Sequence, residues 1–214
     1  MFGLWQKRWP QIPFEEVRKR GRLLVIDDQE FPYETLFSRD GYNVDTWRDV
    51  EKLTDLDDGK YDLVLLDLQG VGRRDSVEQG FGILKYLRRR SPALLIVAYS
   101  NADWGLRYQE FFRLADAVLP KSADYVEFKA KVDDLLRERF SLGFYLTKIL
   151  EEAGPYEADP AYLSRLAQGA ILKGKAARLR AHLESIVPRD SAATVDRVFS
   201  IVNSAVGILQ LWSR

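Results

Sequence analysis

The chain has 214 residues, 46% hydrophobic and 30% charged, the composition of a globular protein with a sizeable core. Lys plus Arg and Asp plus Glu both number 32, so a net charge of zero gives no bulk attraction to nucleic acid or to an anionic membrane. The absence of cysteine excludes disulfides and thiolate metal sites, and one histidine, His182, argues against a histidine-rich metal centre or a Ser-His-Asp triad.

The N-terminal stretch "MFGLWQKRWPQIPF" carries basic residues but no continuous apolar core, so it does not read as a secretory signal. Trp5 and Trp9 are expected to pack on the protein's own surface rather than enter a membrane interface. From residue 22 to about 136, apolar runs alternate with helical stretches. The runs are "RLLVIDD" (22–28), "YNVDTW" (42–47), "YDLVLLDL" (61–68), "ALLIVAYS" (93–100) and "DAVLPK" (116–121). Between them lie "PYETLFSRDG", an acidic segment around "DVEKLTDLDDG", "GFGILKYLRRRS" and "LRYQEFFRLA", and "YVEFKAKVDDLLRERF" (125–140) closes the series. Three runs are continuously apolar, as strands covered on both faces should be. The alternation predicts an α/β fold, a doubly wound five-stranded parallel sheet that binds ligands outside the carboxyl ends of its strands.

Beyond residue 141 strand signals disappear. "DPAYLSRLAQGAILKG" (159–174) opens with an Asp N-cap and Pro at the first helical position. "KAARLRAHLESIV" (175–187) is a second helix, stopped by Pro188, and 190–212 a third, with Val195, Val198, Val202, Ala205, Leu209 and Trp212 on one stripe. Asp196, Arg197 and Asn203 argue against a membrane span there. The division expected is an extension over 1–20, an α/β domain over 21–140 and an all-α interaction or dimerisation module over 141–214. A stripe through Phe128, Val132, Leu135, Leu142, Leu146 and Ile149, broken only at Arg139, suggests one helix running from the first domain into the second.

The chemistry concentrates at strand ends. In this fold the carboxyl ends of strands 1 and 3 lie side by side, which gathers Asp27, Asp28 and Asp67. Three carboxylates in one place repel and resist ionisation. A hard divalent cation such as Mg²⁺ resolves this without His or Cys. Lys121 at the end of strand 5 adds a fixed positive charge, and Ser100 at the end of strand 4 a hydroxyl donor. Such a set suits phosphoryl transfer onto a carboxylate.

This constellation resembles the response-regulator receiver domain over residues 21–136. Asp27 and Asp28 match its acidic pair, Asp67 its phospho-acceptor, Ser100 its switch hydroxyl and Lys121 its lysine. The resemblance implies a flavodoxin-like fold and Mg²⁺-dependent transfer of a phosphoryl group to Asp67. The donor would be a phosphohistidine on a histidine kinase or phosphotransfer protein, and the backbone carbonyl of Gln69 would be a further metal ligand. It implies a signalling protein rather than a metabolic enzyme; the chain itself reads as cytoplasmic, and its helical module as an output that can form a homodimer through 190–212. The alternatives are a non-phosphorylated pseudo-receiver scaffold and a DNA-binding transcriptional regulator.

Several positions depart from the family pattern. Val118 stands where an aromatic residue is usual, Pro120 precedes Lys121 rather than following it, and the first helix is short. The loop "GVGRRDSVEQG" (70–80) is long and brings Arg73 and Arg74 close to the acceptor. "RRR" (88–90) reads as a solvated helix end and His182 as a solvated helix residue. The tail lacks a clear recognition-helix pattern, so DNA binding is not expected.

Overall fold

The continuously apolar runs become the central strands because they carry enough β-branched and aliphatic surface to be covered on both sides. A computed structural model describes residues 8–56, 59–101 and 113–212. Their contacts form two compact units, one of Pro13–Arg139 and one joining residues 8–12 to 140–212.

The first unit contains α1 (Phe14–Arg20), β1 (Arg22–Ile26), α2 (Glu34–Arg39), β2 (Asn43–Trp47) and β3 (Leu63–Asp67). It continues with α3 (Gly80–Arg90), β4 (Leu95–Ser100), β5 (Ala117–Pro120) and α4 (Tyr125–Arg139). The strands pair in parallel in the order β2-β1-β3-β4-β5. This is the flavodoxin-like doubly wound order anticipated from the alternation. β3 and β4 are buried along their whole length and β1 nearly so, whereas β2, an edge strand, is half exposed.

Alternation gives each strand two faces. Leu24, Ile26, Val64, Leu66, Ile96 and Ala98 share an aliphatic core with Ile83, Leu84 and Leu87 of α3. The opposite face is aromatic: Tyr99 meets Phe31 at 6.1 Å and Phe128 at 5.8 Å between ring centroids.

Between β2 and β3 the described residues hold only a 3-10 turn, Leu53–Leu56, where a helical stretch was anticipated. The Asp- and Thr-containing sequence favours turns over helix, and Gly59 with φ +66° ends the segment. Most of the helix expected over 106–115 lies outside the described residues. Arg88 is not solvated: Nη1 donates to Leu94 O at 2.8 Å, and the guanidinium also reaches Leu114 O and Asp116. The chain does not continue as one helix past residue 139. Arg139 breaks the apolar stripe because it turns inward, with Nη2 3.6 Å from Asp62 Oδ1. Ser141 then starts a new helix, its side chain accepting from Phe144 N at 3.1 Å.

That helix, α5 (Leu142–Ala153), packs on α6 (Pro160–Lys173) and α8 (Ala193–Trp212), and α7 (Ala176–Ile186) packs chiefly on α6. Asp159 caps α6 by accepting from Tyr162 N at 3.0 Å, and Gly174 ends it with φ +65°. Val195, Val198, Val202, Ala205 and Leu209 are buried, as their stripe requires. Trp9 joins this unit: its indole donates to Phe140 O at 2.8 Å and its ring lies 5.5 Å from that of Tyr145. His182 is partnered rather than solvated, pairing with Glu157 while Tyr162 packs edge-on at 5.0 Å. Among the described residues no helix is long and apolar enough to cross a membrane.

Loss of the cap that separates α4 from α5 should be measurable. Ser141→Ala is expected to lower stability by about 1 kcal/mol in urea unfolding, and Ser141→Asp to retain most of it.

Candidate functional site

Register determines which residues meet at the carboxyl edge. Ile26 pairs with Leu66, so the residues that follow, Asp27 and Asp67, emerge side by side on the aromatic face. Asp27 stays in the ladder by donating its amide to Trp47 O at 3.1 Å. Asp67 pairs with Tyr99 and Ser100 with Pro120, and Lys121 N donates to Ser100 O at 3.1 Å. The sheet thus delivers Asp27, Asp67, Ser100 and Lys121 to one edge.

Lys121 is the electrostatic centre. Its Nζ lies 2.8 Å from Asp67 Oδ2 and 3.1 Å from Asp27 Oδ1. Asp27, Asp67 and Ser100 are 4%, 1% and 1% exposed, so these polar groups are nearly removed from water. Backbone amides satisfy more of the carboxylate oxygens: Gln69 N donates to Asp67 Oδ1 at 3.0 Å and Gln29 N to Asp27 Oδ1 at 2.9 Å. Burial pushes the Asp67 carboxyl above its usual range, although Lys121 and the Gln69 amide pull the other way. For Lys121, burial disfavours the charge, but hydrogen bonds to Asp67 and Asp27 outweigh it and hold the ammonium above its ordinary value.

Asp28 is exposed and lies over the next loop. A Cβ at Gly70 would sit 2.2 Å from Asp28 Oδ2, and Gly70 has φ +91°, so glycine is required there twice over. One carboxylate oxygen from each of Asp27, Asp28 and Asp67 lies within 4.8 Å of the others. Three carboxylates and one ammonium leave two negative charges. An all-oxygen set of that charge fits a hard divalent cation such as Mg²⁺.

The sequence reading missed two residues here. Tyr99 donates its hydroxyl to Asp27 Oδ2 at 2.8 Å, and burial, followed by the nearby Asp27 charge, raises its pKa so that it remains a donor. The signal was a phenol at the carboxyl end of a buried strand, whose hydroxyl must find a partner. Gln79 closes the long loop by accepting from Gly70 N at 2.9 Å, at a backbone φ of +55°. Such a conformation costs a non-glycine residue about 1–3 kcal/mol, and nothing in the sequence announces it. Arg73 and Arg74 are exposed, and Arg74 lines a cleft of about 460 Å³ with Trp47 and Arg48. Val118 pairs with Ala98 in β5 and is half-buried.

The class defined by this sheet order and edge is a flavodoxin-like receiver fold, followed by a helical unit. Solved structures similar to the chain are response-regulator receiver domains. One, from Methanospirillum hungatei, is 20% identical, with a TM-score of 0.45, over 56% of this chain and 95% of its own. The response regulator TrrA of Thermotoga maritima, solved in complex with Mg²⁺-BeF, is 27% identical, with a TM-score of 0.44, over 54% and 98%. The receiver domain of NtrX from Brucella abortus is 21% identical, with a TM-score of 0.47, over 54% and 98%. No protein-family model and no curated protein matches the chain.

A carboxyl whose pKa is raised by folding binds its proton more tightly when folded. Its ionised form therefore counts against folding at neutral pH, and the cost fades as pH falls through the raised value toward the ordinary 3.8. In Mg²⁺-free buffer, wild-type stability read by urea unfolding should carry a component that rises as pH falls through the raised Asp67 value toward 3.8, and that component should be missing in Asp67→Asn.

Proposed function

We propose that the chain is a phospho-acceptor signalling protein, a response regulator that takes a phosphoryl group on Asp67. The observation that carries this reading is the Lys121 ammonium bridging Asp67 and Asp27 beside Asp28. The donor is a phosphohistidine on a histidine kinase or phosphotransfer protein. An Asp67 carboxylate oxygen bonds to phosphorus as the P–N bond breaks, and the imidazole leaves with the electron pair. Asp27, Asp28, Asp67 and the carbonyl of Gln69 are the residues that would hold Mg²⁺, which when bound neutralises phosphoryl oxygens. Lys121 offers a second positive charge to the same oxygens, and the Ser100 hydroxyl a hydrogen bond. The protein is cytoplasmic in this reading, and its only catalysis is its own phosphorylation and dephosphorylation.

The helical unit is the output and the site of homodimerisation. Support comes from Leu211, 55% exposed on α8, with Val206 half-buried on the same helix. Leu211→Glu is expected to reduce the mass measured by light scattering to that of a monomer.

Incubation with acetyl phosphate and Mg²⁺, followed by intact mass, tests the central reading. Wild type should gain one phosphoryl group, and Asp67→Asn none. Asp28→Ala should need at least about 10-fold more Mg²⁺ for the same uptake. A wild-type protein that takes up no phosphate would instead favour the scaffold reading.

A further inference from the structure

We propose that Tyr99 is a positioning residue for the acidic cluster, its hydroxyl fixing the carboxylate of Asp27 in the orientation a divalent cation requires. The inference rests on reading Asp27, Asp28 and Asp67 as a Mg²⁺ site and adds to it a residue outside the ligand set.

The argument begins with reach. β1 and β4 flank β3 on opposite sides, so their backbones are about 10 Å apart. Asp27 at the end of β1 and Tyr99 near the end of β4 emerge on the same face, with Asp67 between them. A tyrosine is long enough to cross over Asp67 and place a donor on Asp27, and its hydroxyl does so at 2.8 Å from Oδ2. A phenylalanine or leucine would fill the space without making the bond.

Rigidity follows from both ends of the bond. The Tyr99 ring is 2% exposed and edge-packed against Phe31 and Phe128, which prevents the phenol from swinging away. The other oxygen of Asp27, Oδ1, accepts from Gln29 N at 2.9 Å, and the Lys121 ammonium straddles the carboxylate, 3.1 Å from Oδ1 and 3.1 Å from Oδ2. Donors on both oxygens fix the rotation of the carboxylate. Outer hydrogen bonds of this kind orient metal-ligating groups, and their removal commonly weakens metal binding 10- to 100-fold. The aromatic face of the sheet therefore acts as the buttress of the acidic cluster. Phe128 places that buttress on α4, the last helix of the α/β unit.

Full-length wild type and Tyr99→Phe are compared by Mg²⁺ titration calorimetry and by the Mg²⁺ dependence of phosphate uptake from acetyl phosphate. The expected result is about 10-fold weaker Mg²⁺ binding in Tyr99→Phe, with half-maximal uptake at correspondingly higher Mg²⁺ and an unchanged maximal rate. A residue that only fills the core would not separate these two readouts. In an Asp27→Asn background, Tyr99→Phe should change Mg²⁺ affinity by less than about 2-fold, because the partner of the hydroxyl is gone. A wild-type measurement keeps the test independent of how well the variants fold: the Tyr99 hydroxyl proton, observed by NMR, should exchange slowly and shift when Mg²⁺ is added. Equal Mg²⁺ affinity in wild type and Tyr99→Phe overturns the role of Tyr99 while leaving the metal site standing. An effect that persists undiminished in Asp27→Asn, or a hydroxyl proton unmoved by Mg²⁺, overturns it as well. Failure of wild type to bind Mg²⁺ overturns the metal reading and this inference with it.

Discussion

The ammonium of Lys121 between Asp67 and Asp27 is the interaction on which the rest of the α/β unit depends. Five parallel strands converge on one edge, and the chain puts carboxylates at the ends of two neighbouring ones. Leaving Asp67 buried and unpaired would cost about 3–5 kcal/mol, a large share of a domain's stability. Lys121 prevents that, and it does so from β5, two strands away from β3. The ion pair therefore also reports that the sheet has closed in its correct order. Yet one ammonium cannot neutralise three carboxylates. The fold tolerates a residual negative charge at this edge, and that residue of charge is what makes the edge chemically useful.

The two faces of the sheet serve this edge differently. The face under α3 is ordinary core, filled mainly by Leu, Ile and Val, with Phe81 and Tyr61 at its margin. The aromatic face is stiffer. Phe31 approaches Phe37, Tyr99 and Phe128, and Tyr33 also reaches Phe128. Flat rings with few rotatable bonds hold polar tips at defined places, as Tyr33 does in donating to Ala123 O at 2.8 Å. The side chains that carry charge and those that hold it in place thus emerge on one face of the sheet, by strand alternation alone.

Much of this is legible in the amino-acid sequence alone. Continuous apolar runs such as "LVLLD" could only be central strands, and a carboxylate closing one of them had to meet compensation at the sheet's edge. Periodicity also placed the last three helices of the second unit, with Asp159, Pro160 and Gly174 marking the ends of α6. The residues that escaped notice are those whose role depends on a distant partner. Arg88 looked like a solvated helix end until Leu94, Leu114 and Asp116 were found around it. Tyr99 looked like core. Ser141 was hidden by a hydrophobic stripe that ran through it, since an N-cap is a single residue competing with a long pattern. Gln79 carries strain that no residue type encodes.

Trp9 has a consequence for how the chain is organised. Its indole is bound to Phe140 and packed on Tyr145, so residues 8–12 belong to the helical unit, which the chain leaves at residue 12 and rejoins at 140. In topological terms the α/β unit is an insertion within the helical one, not a bead ahead of it on a string. Exchanging it for another such unit, by recombination or by cloning, takes two junctions rather than one. A cut at the second junction alone strands the indole of Trp9 on the wrong fragment.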